Sequence, residues 1–329
     1  MRALVTGASG HIATHLIRVL LREGHSVRAL VRASSNVSAI SSLDVELYRG
    51  DVLDASSLRP AMANCETVFH LAAPTRDVSG IGDIIVNGTR NVLNTAADSG
   101  VSTIVYTSSI VTVGYSDKPE QILNESNSAQ SSATCYHDAK FLAEKLALEW
   151  AKQGICRLVV VNPSTVVGSL DMRVTPSNEV IERAMRKGLR FTFDSGLTIA
   201  PVQDVARGHL LAFHKGRSGE RYILGGERLI IKEYFRLVEE CCGRQRRQFH
   251  LPRTALLGIG AGFSAAKLIT RRHVPFTFSQ ARSLAGKYGF YSSRKAEEEL
   301  GYQWRSAKEA ITDFVAWVRA GRPATYESR

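Results

Sequence analysis

The chain reads as an α/β protein, a doubly wound parallel sheet followed by a smaller and mostly helical C-terminal region. Three observations predict this. Six strand-to-helix alternations precede residue 165, a glycine-rich turn joins the first strand to the first helix, and neither a repeat nor a flexible linker divides the 329 residues. From about Thr165 the rhythm changes. Residues 166–198 are irregular apart from one helix over Asn178–Lys187, the sheet resumes within about 199–224, and a basic, helical remainder over 225–329 includes an amphipathic helix at Lys308–Val318. The core is therefore drawn at 1–165, completed by about 199–224.

The first strand, through Leu4-Val5-Thr6, enters Gly7-Ala8-Ser9-Gly10-His11-Ile12-Ala13, and the spacing of Leu16, Ile17, Leu20 and Leu21 predicts a helix behind it. Gly7 and Gly10 permit a tight turn and close approach of a pyrophosphate. Ser9, His11 and Ile12 flank a helix N-terminus whose free N–H groups face that anion, and Ala13 takes the third glycine position for close helix–strand packing. The second strand, Ser26–Arg32, ends without a carboxylate before Asp44. An Arg32 guanidinium suits a 2′-phosphate, so NADP(H) is expected over NAD(H).

After the third strand, Val45–Tyr48, Asp51 and Val52 stand at a strand end, where Asp51 either accepts the adenine amino group or caps the next helix. The fourth strand, Thr67–Ala73, is apolar on both faces, and its end, Leu71-Ala72-Ala73, leaves room for a cofactor. His70 reads as a packed strand residue; no metal site is predicted, because no second ligand sits at ligand spacing. Asn87 begins or caps a helix and is a candidate to support the catalytic helix. The fifth strand, Thr103–Thr107, ends in Ser108-Ser109, and the sixth, Arg157–Val161, in Asn162-Pro163-Ser164.

Tyr136 and Lys140 stand four residues apart before the apolar run Phe141-Leu142-Ala143, so a helix sets both on one face. An ammonium held beside a phenol favours the phenolate and draws its pKa from about 10 towards working pH, as proton transfer to a carbonyl or from an alcohol requires. A hydroxyl of Ser108-Ser109 is placed to hold the reacting oxygen beside Tyr136.

Composition narrows the alternatives. With 44% hydrophobic residues a sizeable core can form, and the charge balance, 42 − 31 = +11, favours anionic ligands. The basic residues are dispersed, without zinc-finger spacing or an aromatic RNA-binding signature, so nucleic acid is not expected as a partner. The five cysteines, Cys65, Cys135, Cys156, Cys241 and Cys242, include no Cys-x-x-Cys pair, and residues 1–6 already read as a buried strand. A reduced, cytoplasmic setting is expected. Leu256–Ile269 is too short to span a bilayer and carries Lys267; a buried helix is expected there, with an interfacial membrane helix flanked by Arg253, Arg271 and Arg272 as the lesser alternative.

Taken in order, Thr6-Gly7-Ala8-Ser9-Gly10-His11-Ile12-Ala13, Ser108-Ser109, Tyr136 with Lys140, and Asn162-Pro163-Ser164 resemble an extended short-chain dehydrogenase/reductase of the NAD-dependent epimerase/dehydratase family. Pro201-Val202-Gln203-Asp204-Val205-Ala206, Gly219–Gly226 and Ser293–Tyr302 extend the resemblance over essentially the whole chain. It is most similar to the dihydroflavonol reductase-like branch, especially bacterial proteins labelled hopanoid-associated sugar epimerases. The resemblance implies a Rossmann core with a substrate-binding region at 166–198 and 225–329. Its implied triad has Ser109 orienting the substrate oxygen, Tyr136 shuttling the proton, and Lys140 binding the nicotinamide ribose while lowering the Tyr pKa. Cofactor contacts are implied for Gly7, Ser9, Gly10, His11, Ile12, Arg32, Asp51, Val52, Leu71, Ala72, Ala73, Lys140, Pro163 and Ser164.

Two residues depart from the pattern: Ala39 replaces a frequent Lys, leaving Ser34 and Ser35 to assist Arg32, and Ala139 replaces a usual Ser. Ile110-Val111-Thr112-Val113-Gly114 lacks the acidic residue of the dehydratases, and Asn162–Gly168 is more similar to carbonyl reductases than to sugar-nucleotide enzymes. The implied activity is NADPH-dependent reduction of a small-molecule carbonyl, or the reverse oxidation of an alcohol, by a monomer or homodimer. A sugar-nucleotide epimerase with tightly bound NAD(P) is the alternative. A non-catalytic nucleotide-sensing scaffold is the alternative from another class, and retention of Ser109, Tyr136 and Lys140 argues against it.

Overall fold

Strands that are apolar on both faces need helices on both sides, and a parallel pair needs a crossover long enough to supply one. A computed structural model of the chain, which describes residues 1–74, 78–129, 135–270, 278, 281–282 and 285–326, is built in this way. Its strands in chain order are β1 (Arg2–Thr6), β2 (Ser26–Val31), β3 (Glu46–Arg49), β4 (Thr67–His70), β5 (Thr103–Thr107), β6 (Arg157–Pro163), β7 (Thr165–Val167), β8 (Phe191–Thr192), β9 (Gly196–Pro201), β10 (Arg221–Leu224), β11 (Glu227–Ile230) and β12 (Phe249–His250). The central sheet has seven parallel strands in the order β10-β6-β5-β4-β1-β2-β3. Strand order runs outward from β1 in both directions, which opens a crevice between the carboxyl ends of β1 and β4.

Alternation along β1 divides the interior. Ala3 and Val5 pack with the apolar faces of α1 (His11–Arg22) and, from the later chain, the helix Val202–Lys215. Leu4 faces the opposite layer, formed by α2 (Ala55–Met62), α3 (Gly88–Asp98) and α4 (Cys135–Ala151). Period two on the strands and the helical period on both coverings account for the two cores. A third core surrounds Tyr234, Phe314 and Trp317, where α5 (Pro176–Lys187), the helix Ile231–Cys241 and the helix Ala307–Arg319 pack together.

Three features differ from expectation. The central sheet is completed by β10 alone, because β9 pairs with β7 and β11 in a separate three-stranded sheet. The outer edge of β6 is taken by β10, so β9 finds unpaired backbone on β7 instead. Asn87 neither opens nor caps a helix: it lies within a continuous helical run, a π-helical stretch over Asp83–Asn87 leading into α3. Its amide bonds Asp83 and Arg90 rather than any group of α4, although the stretch itself packs on that helix. The helix Arg253–Thr270 lies at the surface, with Ile259 exposed and Leu256 packed on Ala281 and Ala285. Gly258, Gly260 and Gly262 give it little side-chain area to bury. The flanking Arg271 and Arg272 fall outside the described residues. Among the described residues, no helix is long and apolar enough to cross a membrane.

Candidate active site

The sheet brings the singled-out residues to one edge. At the end of β1, Gly7 has φ +65°, and a Cβ there would stand 2.8 Å from the backbone of Ala72. Only glycine admits this approach between the first turn and the end of β4. Thr6 Oγ1 accepts the N–H groups of Leu71 and Ala72, each at 3.2 Å, and donates to His70 Nδ1 at 2.7 Å. His70 Nε2–H then faces Thr89 Oγ1 at 3.2 Å, whose hydroxyl donates to the Ile85 carbonyl. Burial pushes His70 down to about 3, so it is a neutral, packed link between strand and helix.

Gly10 donates its N–H to the Gly7 carbonyl at 2.8 Å and precedes α1 without a side-chain cap. No acidic residue occupies the first turn, which includes His11 and Ile12. The uncapped N–H groups and the helix dipole suit a dinucleotide pyrophosphate.

At the end of β2, Arg32 is exposed, and its guanidinium has no hydrogen bond or ion pair with the described residues. Ala39 is buried and contributes no charge of its own, and its carbonyl accepts from Arg18 at 3.2 Å; Ser35 accepts the Arg32 N–H at 3.1 Å. Asp51 accepts the Leu53 N–H through its side chain, and Asp54, not Asp51, caps α2. Val52 packs so closely on Gly88 that a Cβ there would meet it at 2.8 Å. At the far side, Ser108 and Ser164 have buried hydroxyls without partners among the described residues, and Pro163 ends β6. Orphaned hydroxyls at a sheet edge mark room for a polar ligand group.

Ser109, Tyr136 and Lys140 converge where β5 ends. Ser109 caps a short helical turn, Ile110–Thr112, and its hydroxyl stands near enough to the Tyr136 phenol to favour the phenolate. Burial raises the Tyr136 pKa and the Ser109 hydroxyl offsets part of that rise. Lys140, one turn along α4, is 3% exposed; its Nζ donates to the Thr107 carbonyl at 2.9 Å and lies 5.6 Å from the centre of the Tyr106 ring. Burial brings Lys140 down to about 8, with Glu144 opposing. The expected lowering of the phenol by Lys140 is not found in the chain alone, where its ammonium is turned to Thr107.

Behind the triad lies a network that sequence reasoning missed. Glu144 Oε2 accepts from Asn162 Nδ2 at 2.6 Å and from Thr112 Oγ1 at 2.8 Å, while Oε1 pairs with Arg221 at 2.6 Å. Asn162 Nδ2 also reaches the Ser109 carbonyl at 3.1 Å, and Thr112 Oγ1 lies 2.8 Å from it. The signal was a glutamate four residues beyond Lys140, on a face otherwise held by Ala139, Ala143 and Ala147.

The other side of the site is closed by residues 168–175. His11 and His15 both direct Nε2 to the Ser169 carbonyl, at 2.9 and 3.0 Å, and Asp171 accepts from Thr175 and Asn178. Arg173 Nη2 meets Ser9 Oγ at 3.0 Å. His15 is pushed down to about 3 by burial, and His209 to about 4. With His70, these side chains stay neutral when folded but take protons when unfolded below about pH 6.5. Their contribution is present above that pH and is lost as pH falls towards 4 and 3. Thermal melts should therefore show a lower Tm at pH 5 than at pH 7.5.

Comparison with known proteins gives a consistent placement. The model of the NAD dependent epimerase/dehydratase family matches residues 3–225. A Synechocystis sp. protein provisionally named dihydroflavonol 4-reductase is 33% identical, over 96% of this chain and 94% of its own. Sterol demethylase protein B of Methylococcus capsulatus is 33% identical, over 97% and 98%. Cinnamoyl-CoA reductase 1 of Oryza sativa is 33% identical, over 72% and 74%. Among solved structures, gox2253 superposes with a TM-score of 0.85 at 33% identity, covering 97% of this chain and 98% of that one.

Proposed function

The chain belongs to the NAD-dependent epimerase/dehydratase family and is an NAD(P)-dependent oxidoreductase, and we propose that it reduces a small-molecule ketone or aldehyde with NADPH. The observation that carries this is the approach of the Ser109 hydroxyl to the Tyr136 phenol at the end of β5, one helical turn from the buried Lys140. The dinucleotide fits the edge described above: Gly7, Ser9, Gly10, His11 and Ile12 for the pyrophosphate, Asp51 and Val52 for the adenine end, Leu71–Ala73, Pro163 and Ser164 for the nicotinamide end. When bound, it supplies the hydride.

The protein's share is proton transfer and placement. Ser109 holds the substrate oxygen against Tyr136, whose phenol delivers the proton to it. Lys140 carries positive charge into a buried site, favouring the phenolate left behind. Its tether to Thr107 leaves two ammonium protons for a ribose hydroxyl. Ile110–Thr112 presents no carboxylate to the site, and the nearby Glu144 is committed to Arg221, which disfavours a dehydratase.

Arg32 makes NADPH the preferred donor, since a charge-assisted bond to a 2′-phosphate contributes about 1.5–3 kcal/mol. Arg32→Ala should narrow the NADPH-over-NADH ratio in Kd by about tenfold or more, read by fluorescence titration; an unchanged ratio removes Arg32 from the assignment. The activity itself is tested by a screen of NADPH consumption with aldehydes, ketones, flavanonols and sugar nucleotides. Steady oxidation with a carbonyl substrate is the expected result. Copurified cofactor with no net consumption would favour a sugar-nucleotide epimerase instead.

A further inference from the structure

We propose that Arg173 is a ligand of the dinucleotide pyrophosphate, delivered to it from the segment that follows β6. The inference rests on the dinucleotide reading of the glycine turn and adds to it a cation that the first 165 residues do not contain.

The turn itself offers an anion only backbone N–H groups and the Ser9 hydroxyl. Arg173 is exposed, meets no carboxylate among the described residues, and places Nη2 3.0 Å from Ser9 Oγ. Beyond that bond its guanidinium has four further N–H donors to offer.

The position is built rather than incidental. The Ser169 carbonyl is gripped by His11 and His15 from the first turns of α1, and its N–H donates to Asp313 of the final helix at 3.2 Å. Asp171, 1% exposed, is spent on Thr175 and Asn178 and so leaves Arg173 unneutralised. Leu170 and Val174, on either side, hold φ at +59° and +51°, a region that branched residues rarely occupy. Such a conformation persists where the surroundings impose it, and it turns the intervening residues over the glycine turn. The pyrophosphate would then be held from both regions of the protein, by a segment that the chain has already set in place.

The test is direct binding, without turnover. ADP-ribose carries the pyrophosphate but no 2′-phosphate; adenosine 2′-monophosphate carries the 2′-phosphate but no pyrophosphate. Arg173→Ala and Arg173→Gln, the latter keeping a donor for Ser9, should each weaken ADP-ribose at least tenfold by calorimetry and leave adenosine 2′-monophosphate unchanged. ADP-ribose affinity equal to the parent's in Arg173→Gln would overturn the proposal. Equal weakening of both ligands would overturn it too, by making Arg173 a general support of the fold. Failure of the parent protein to bind ADP-ribose would instead strike the dinucleotide reading, and the two failures are thereby distinguished.

Discussion

Tyr136→Phe is expected to lower the rate of carbonyl reduction by about 10²–10⁴-fold, the share that a positioned general acid contributes. Affinity for NADPH should be unchanged, because the ring stays packed against the apolar cluster that includes Ile110, Val111 and Tyr291 and only the hydroxyl is lost. Single-turnover kinetics and a fluorescence titration of the same preparation separate the two quantities. A variant that turns over at the parental rate would show that the proton comes from elsewhere. Burial holds the Tyr136 phenol above its usual range, so it is protonated before reaction and able to act as the acid in the reductive direction.

Glu144→Ala is the second large effect, and it concerns stability first. Removing one member of a buried ion pair leaves the other uncompensated, at a cost of about 3–5 kcal/mol. Here Arg221, Asn162 and Thr112 would all lose their acceptor. Glu144→Gln retains an acceptor oxygen and should cost less, about 1–3 kcal/mol. Denaturant midpoints compared at constant m-value measure both. A loss below about 1 kcal/mol for the Ala variant would mean that the pair contributes nothing net, as some buried pairs do. Since Asn162 bonds both Glu144 and the Ser109 carbonyl, the Gln variant should also raise KM for the carbonyl substrate.

Much of the nucleotide half was legible because its determinants are local. Gly7 and Gly10, the apolar strand runs and the helical spacing behind them are read within a dozen residues of one another; the first, second, third and fifth strands fell within a residue of where they were drawn, whereas the fourth stops at His70, short of the apolar run, and the sixth continues through Pro163. Ser109, Tyr136 and Lys140 were found through a motif, and the fold then brought them together. What escaped depends on contacts across long separations. Whether Ile199 belongs to one sheet or another is decided by β10 having taken the edge of β6, which no local pattern records. Asn87 looked like a cap because Asn favours that position, but an extra residue per turn carried the helix through it. Arg173 and Ser9 are 164 residues apart, and Glu144 meets Arg221 across 77. The apolar helix over Arg253–Thr270 misled by composition, since hydropathy counts glycine as harmless while burial needs area.

The strand order also bears on how the protein is made. β6 ends at Pro163, yet the strand that covers its outer edge, β10, lies at Arg221–Leu224, and the helix Val202–Lys215 that roofs one face of the sheet comes only just before it. During synthesis the ribosome therefore releases a parallel sheet whose one face is covered by α1 alone until the helix Val202–Lys215 emerges about forty residues later, and whose β6 edge stays open until β10 emerges about sixty residues later. At about 5–20 residues per second this interval lasts several seconds, during which unpaired backbone is open to foreign strands. The nascent chain is in that interval a client for chaperones, and translational pausing within 164–220 would lengthen its exposure.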